Sequence, residues 1–353
     1  MVMDASHCYL DGNADAVEFC PHDPFHHGLA ASTYNLQEEG DKPSRLGSLS
    51  LFDVDAEKGR LELIHRMETC GIFDIKWNPV GSSSCQLLGQ ADADGYLRVY
   101  KLASHSEGGS EPTGATTLRE VSDVKVSTSM CFYLDWNPSA TAITIGISDG
   151  SVAEVSVTES GLSLHQQWEG HQFEVWTSSF DCHLPHLVYT GSDDCRFCGW
   201  DLRDDPSNAA FQNTKAHSAG VCCVTKNPND PNTLLTGSYD EYLRVWDMRS
   251  LSKPVNEKSL CLGGGVWRIK YHPSVPDLVL SACMHNGLAI VDTKSSMLEI
   301  VETYTKHESL AYGADWQRRK LSNDNADTTH VVATCSFYDK LLRIWRPQFK
   351  NGA

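Results

Sequence analysis

No stretch of this 353-residue chain approaches the run of about 18 apolar residues that a membrane-spanning helix needs. The opening MVMDASHCYLDG has neither the basic start nor the apolar centre of a secretory signal, so a cytoplasmic location is expected. Basic charge is scarce as well. Against 46 Asp and Glu stand 29 Lys and Arg, a formal net charge of −17, where a nucleic-acid binder shows a basic stripe; a cationic ligand or partner suits this balance better. A disulfide framework is also missing. The thirteen cysteines follow no regular spacing, and several occupy places where a strand wants a small apolar side chain, so they read as reduced thiols. Cys195 and Cys198 have CxxC spacing, but they are expected in a strand, where residues three apart point to opposite faces and share neither a metal nor a bridge. Neither a metal site nor a cofactor is expected. Nor is there a serine nucleophile: Gly146-Ile-Ser-Asp-Gly150 fits G-x-S-x-G, but SVAEVSV follows it where a nucleophile elbow needs a helix, and a hairpin turn is predicted instead.

The chain does carry a repeat. In Gly220–Arg249, GVCCVTKNPNDPNTLLTGSYDEYLRVWDMR, an apolar strand is followed by an Asn-Pro turn, a second strand ending in Gly-Ser, an Asp and a third strand closing on Trp-Asp. The copy before it, EVWTSSFDCHLPHLVYTGSDDCRFCGWDLR, ends at Arg203. This is the WD-repeat phrase, and it predicts an all-β, seven-bladed β-propeller. The residue closing each first strand gives the anchors Phe19, Trp77, Trp136, Phe180, Lys226, Tyr271 and Trp316, with spacings of 58, 59, 44, 46, 45 and 45 residues. Seven units thus occupy residues 1–353 as one domain. Surface insertions are expected at about 34–47, 104–117 and 317–329, the first two accounting for the long early spacings. An N-terminal strand at about 6–11 is expected to pair with Leu341–Trp345 and cover the last blade's edge, leaving a monomer without a free edge.

Several chemistry-like groupings belong to the scaffold. His171, Thr190, Asp194 and Trp200, then His217, Thr236, Asp240 and Trp246, sit where propellers place a structural hydrogen-bond tetrad, and His307, Cys335, Asp339 and Trp345 are expected to repeat it in the last unit. Departures from the repeat are more informative. Four residues before the anchors stand Asp15, Phe73, Phe132, Trp176, Cys222, Trp267 and Tyr312, five of them aromatic. They either ring the mouth of the central channel or, sharing the anchors' parity, pack between blades. Aligning SACMHNGL with TGSYDEYL puts His285 where Asp240 stands, a histidine released from the tetrad, and Glu174 lies in the loop before Trp176.

The strings HQFEVW, TGSYDE, GGGVWRIKYHP, ACMHNG, YGADW and CSFYD, in order from His171 to Asp339, resemble the WD-repeat diphthine methylesterases of the diphthamide pathway, strongly over the second half of the chain. The resemblance implies hydrolysis of the methyl ester of methylated diphthine on translation elongation factor 2, releasing methanol. Such a substrate carries a quaternary ammonium, which aromatic faces attract. Trp176, Trp267, Phe132 and Phe73 are the expected substrate-binding residues. For catalysis, His285 would activate water and Glu174 orient it or act as base, while Arg268 or Tyr312 would donate to the oxyanion. The rival expectation is a binding module without chemistry. Trp200-Asp-Leu-Arg203 and Trp246-Asp-Met-Arg249 resemble the boxes by which propeller receptors dock onto a cullin-RING ubiquitin ligase, through Arg203 and Arg249; a general protein-interaction scaffold is a third possibility.

Overall fold

The computed structural model describes residues 3–38, 43–80, 86–104, 116–206, 208–294, 297–318 and 330–349. Within them the chain forms seven four-stranded antiparallel sheets arranged as the blades of a propeller. The inner strands are Asn13–Phe19, Ile72–Trp77, Cys131–Trp136, Val175–Phe180, Val221–Lys226, Arg268–Tyr271 and Ala311–Trp316. Every one ends on its anchor, because the turn that follows ends the apolar alternation. The last blade is completed by Met3–Tyr9, which pairs antiparallel with Leu341–Arg346 from Met3 opposite Arg346 to Tyr9 opposite Leu341. That strand lies a few residues upstream of the 6–11 span expected.

Seven apolar clusters hold the ring, one between each pair of adjacent blades. Between the second and third blades, for example, Ala91, Leu97 and Val99 pack on Leu134, Trp136, Ile143 and Ile145. Anchor tryptophans add a directional tie. The indole N–H of Trp77 donates to the Glu18 carbonyl at 3.2 Å, that of Trp136 to the Lys76 carbonyl at 2.9 Å and that of Trp316 to the Lys270 carbonyl at 3.1 Å. A large ring thus packs on the preceding blade while its one polar atom is satisfied. In the fifth blade Lys226 replaces the aromatic anchor, and its buried ammonium reaches Asp181 of the fourth blade at 3.2 Å.

Two expectations change. The stretch 34–47 is not a loop: Gly28–Gln37 and Ser44–Asp55 are long strands paired through Asn35–Leu46, Leu36–Arg45 and Gln37–Ser44. Backbone pairing runs through both flanks, and residues 39–42 lie outside the described residues. Residues 105–115 and 319–329, most of the other two insertions, lie outside the described residues, although Ala103 pairs with Thr117 beside the first of them. Cys195 is not in a strand. It occupies a left-handed turn position, φ 64°, matched by Gly95 and Gly150 at φ 76° and 91°, and the third strand starts only at Phe197. The Gly146–Gly150 stretch is the end of one strand and a turn into Ser151–Thr158.

The hydrogen-bond tetrad ties the strands of the fourth and fifth blades, and in the last blade three of its members do so while Ser336, not Asp339, meets the second nitrogen of His307. His171 reaches Thr190 at 2.7 Å and Asp194 at 3.1 Å, and the Trp200 indole donates to Thr190 at 2.8 Å. In the fifth blade His217 meets Thr236 at 3.1 Å, and Trp246 donates to the same hydroxyl at 2.8 Å. Burial pushes the Asp240 carboxyl up, but His217 and Arg244 overcome it and hold the group below the usual carboxylate range. In the last blade the hydroxyl comes from Thr334, not Cys335: His307 meets Thr334 at 2.8 Å and Trp345 donates to it at 3.2 Å. The Phe337–Lys340 turn holds one residue more than its counterparts, so counting back from Asp339 lands one position late. His307 turns its other nitrogen to Ser336 at 2.5 Å.

Candidate active site

In six of the seven blades the position four before the anchor sits at a bulge, whereas Trp267 of the sixth lies just ahead of the strand Arg268–Tyr271, whose pairing is regular. Pairing with the second strand slips by one residue between Ala14 and Ala16, Ile72 and Asp74, Cys131 and Tyr133, Val175 and Thr177, Val221 and Cys223, and, more widely, Ala311 and Ala314. An extra residue in a strand re-aims its side chain and reverses the parity beyond it. Simple alternation would turn these residues toward the core between blades, as it does the anchors; the bulge swings them to the channel axis beside the residue that follows.

At the channel mouth their rings meet one another. Phe73 lies 4.7 Å from Phe132, Phe132 stacks on Trp176 at 4.8 Å and 10°, Trp176 is 5.5 Å from Trp267, and Trp267 is 4.8 Å from Tyr312. Tyr312 is 5.4 Å from Phe337, Phe337 is 5.0 Å from Tyr34, and Tyr34 returns to Phe73 at 4.7 Å. Seven rings close a collar, and Tyr239 leans on it between Trp176 and Trp267. Phe73 and Phe132 are buried, whereas Trp176, Trp267, Tyr312 and Tyr34 keep part of their surface in solvent. Tyr34, Tyr239 and Phe337 escape a count made on inner strands alone. Their signal is an aromatic on the second strand or just after the Ser that ends it, as in Ser238-Tyr239 and Ser336-Phe337.

Beneath the collar a cavity of about 20 Å3 is bounded by Asp15, Tyr133, Cys222 and Arg268 together with the rings of Phe73, Phe132, Trp176 and Trp267. This is room for about one water. Arg268 reaches across the channel from the sixth blade to Asp74 of the second at 2.9 Å and lies over the Tyr133 ring at 5.5 Å. Burial disfavours its charge, yet Asp74 more than compensates and keeps the guanidinium protonated. Asp15 has no such partner. Its residue is 3% exposed and its Oδ1 accepts no hydrogen bond among the described residues. Burial, opposed by Arg268 and reinforced by Asp74, pushes this carboxyl up to about 8. Cys222 is buried and its thiol is pushed well up, chiefly by burial, which leaves it protonated and a poor nucleophile.

Three residues further along the strands lies a layer of paired charges, contributed by the residue before five of the seven anchors. Lys270 pairs with Glu18 across the channel and lies 3.9 Å from Asp315; Lys76 pairs with Asp135 at 2.8 Å, and Ser179 donates to Asp135 at 2.9 Å.

The expected water-activating residues stand elsewhere. His285 is exposed in the Cys283–Gly287 turn, and Glu174 is half-buried in the loop before Trp176. Both lie on the loops at the collar end of the ring, because each inner strand starts there and each second strand returns there. Neither lines the cavity. Arg203 and Arg249 are clasped by the Asp two residues before them, at 2.6 and 2.5 Å, with 67% and 71% of their side chains exposed. A larger cleft of about 620 Å3 lies at the opposite end, beside His26, Asp53, Arg60 and Arg346, where Arg60 meets Asp53 at 2.5 Å and Lys58 meets Asp55 at 3.0 Å. The described residues hold no cluster of three or more His, Cys, Asp or Glu able to hold a metal ion.

Blades, tetrads and repeat phrase define a WD-repeat propeller, and the model of the WD domain, G-beta repeat, matches residues 162–201 and 210–247. The fold is shared with a chain of the crystal structure of a mitotic checkpoint complex, with a TM-score of 0.72 at 17% identity over 98% of this chain and 92% of that one. In sequence the chain is 32% identical to the diphthine methyltransferase homolog of Dictyostelium discoideum, over 96% of this chain and 98% of that protein. To diphthine methyltransferase of Homo sapiens it is 33% identical, over 86% of this chain and 72% of that protein. The chain belongs to the diphthine methyltransferase family.

Proposed function

We propose that this protein acts in diphthamide biosynthesis as a carboxylic ester hydrolase, removing the methyl ester from methylated diphthine on translation elongation factor 2. The observation that carries the reading is the closed aromatic collar at the channel mouth, on a chain of this family. Ring faces attract a quaternary ammonium by about 0.5 to 2 kcal/mol each, more as water is excluded, and the excess of acidic residues draws a cationic segment toward the protein. The collar grips the trimethylammonium group through Trp176, Trp267, Phe132 and Phe73 and leaves the ester at the rim. There His285 takes the proton of a water that Glu174 orients, and the water oxygen bonds to the ester carbon. The Tyr312 hydroxyl donates to the carbonyl oxygen as it becomes an oxyanion, while Arg268 stays bound to Asp74 below the collar. When the bond from carbon to methoxy oxygen breaks, the methoxide recovers the proton from His285 and leaves as methanol, with diphthine as the other product.

Incubation of the purified protein with elongation factor 2 carrying methylated diphthine, followed by intact mass measurement, tests this. Loss of one CH2 under multiple turnover supports hydrolysis, a gain of one CH2 on unmethylated factor with a methyl donor supports transfer in the opposite sense, and an unchanged mass leaves the binding-module reading ahead. His285→Ala and Glu174→Ala test the assigned roles. His285→Ala is expected to lower kcat by about 10^2 to 10^4, the usual contribution of a positioned base, with the melting curve unchanged; full turnover by both variants would move water activation to another group.

A further inference from the structure

The groups around the cavity do not balance in charge. Asp15 and Asp74 are both buried beside a single guanidinium, Arg268, which Asp74 already holds. With both carboxylates ionised, one negative charge has no cation to meet it, and a buried charge of that kind must be neutralised by a proton or a ligand. The position is also distinctive in the repeat. In five of the seven blades it carries an aromatic ring that joins the collar, and only here does it carry a carboxyl. A set of aromatic faces with one carboxylate in their midst matches a permanent cation, whose charge is spread over methyl groups that the rings receive while the carboxylate balances it.

We propose that Asp15 is the counter-charge of the cation bound in the collar. This inference rests on the collar being an ammonium site, as the preceding reading has it. The cavity of about 20 Å3 is too small for a trimethylammonium group, so binding parts the half-exposed rings of Trp176, Trp267 and Tyr312 and brings the cation down toward Asp15. The carboxyl, protonated in the free protein, then ionises, its proton leaves to solvent, and a salt pair replaces a neutral acid. The other groups facing Asp15 do not supply that charge. Tyr34, Tyr239 and Tyr312 have hydroxyls pushed far up by burial, and so has the Cys335 thiol; all four stay neutral. One proton released per cation bound is the signature that separates this role from packing.

Choline and its uncharged isostere 3,3-dimethylbutan-1-ol are suitable probes for the whole chain, by calorimetry at pH 7 in two buffers of different ionisation enthalpy. The wild type is expected to prefer choline and to release close to one proton on binding it. Asp15→Asn is expected to weaken choline about tenfold or more, as loss of a desolvated charge partner does, to leave the alcohol unchanged and to abolish the proton release. Choline binding by Asp15→Asn at wild-type strength overturns the proposal and leaves the collar standing. Binding without proton release in the wild type overturns it equally, and needs no variant. Failure of the wild type to bind choline at all, or full binding by Trp176→Ala and Trp267→Ala, removes the collar reading and this inference with it.

Discussion

Two layers of the same seven inner strands, three residues apart, treat buried charge in opposite ways. In the deeper layer Lys76 and Lys270 meet Asp135, Glu18 and Asp315 within the channel, and burial, which would push Glu18 up, is outweighed by Lys270 and Lys76, so Glu18 stays ionised. In the collar layer the rings pack on one another and a lone carboxyl, Asp15, is left without a cation. The first arrangement serves the fold, since each of its three carboxylates has a lysine of the chain at 3.9 Å or less. In the second Asp15 has no such neighbour, which is what a binding site for a cation requires.

The comparison breaks most visibly at Lys270. Lys270→Met strips Glu18 and Asp315 of their cation, and removal of one partner from a buried ion pair costs about 3 to 5 kcal/mol; the midpoint of urea unfolding at pH 7 should fall accordingly. Asp15→Asn should behave in the opposite way, folding as well as the wild type or better at neutral pH. Folded Asp15 keeps its proton to about pH 8, whereas an unfolded aspartate loses it near pH 4. Between those values the folded state holds the extra proton, so stability falls as pH rises, by up to about 1.4 kcal/mol per pH unit. His307 works in the other direction, since burial pushes it down to about 4 and its contribution is lost as pH falls below about 6.5. The slope due to Asp15 is therefore cleanest between about pH 6.5 and 8, and chemical unfolding of wild type and Asp15→Asn across that window should show it in the first and not in the second.

Smaller effects sharpen the picture. Trp176→Ala removes the parallel stack on Phe132 and should lose the pair's contribution of about 0.5 to 1.5 kcal/mol beyond burial, with a weaker hold on choline and a readable drop in Tm. The smallest change expected is in the doubly substituted Arg203→Ala, Arg249→Ala. Its guanidiniums lie outside both layers, exposed and clasped by Asp201 and Asp247, so melting and ester hydrolysis should match the wild type. Loss of hydrolysis in that variant would tie the site to the WD boxes, and loss of binding to a ubiquitin-ligase adaptor would favour the receptor reading.

Sequence alone determined the seven blades, the anchors that close the inner strands and the aromatic residues four before them, because strand alternation and turn chemistry repeat locally and can be counted. It also placed His171, Thr190 and Trp200, and His217, Thr236 and Trp246, in hydrogen-bonded sets that tie blade strands together. Where counting crossed an irregular turn it failed, as with Cys335 in place of Thr334, and a polar stretch hid the long strands around 34–47. Only the tertiary structure decided which way the collar residues face. In six blades a bulge, invisible in the pattern of apolar residues, reverses the parity and aims them at the axis. Closing the ring then brings Tyr34, Tyr239 and Phe337 from other strands and turns into the same collar and sets Asp15 and Asp74 against one arginine, since a shortage of one charge is a property of groups gathered from three blades and of no segment by itself.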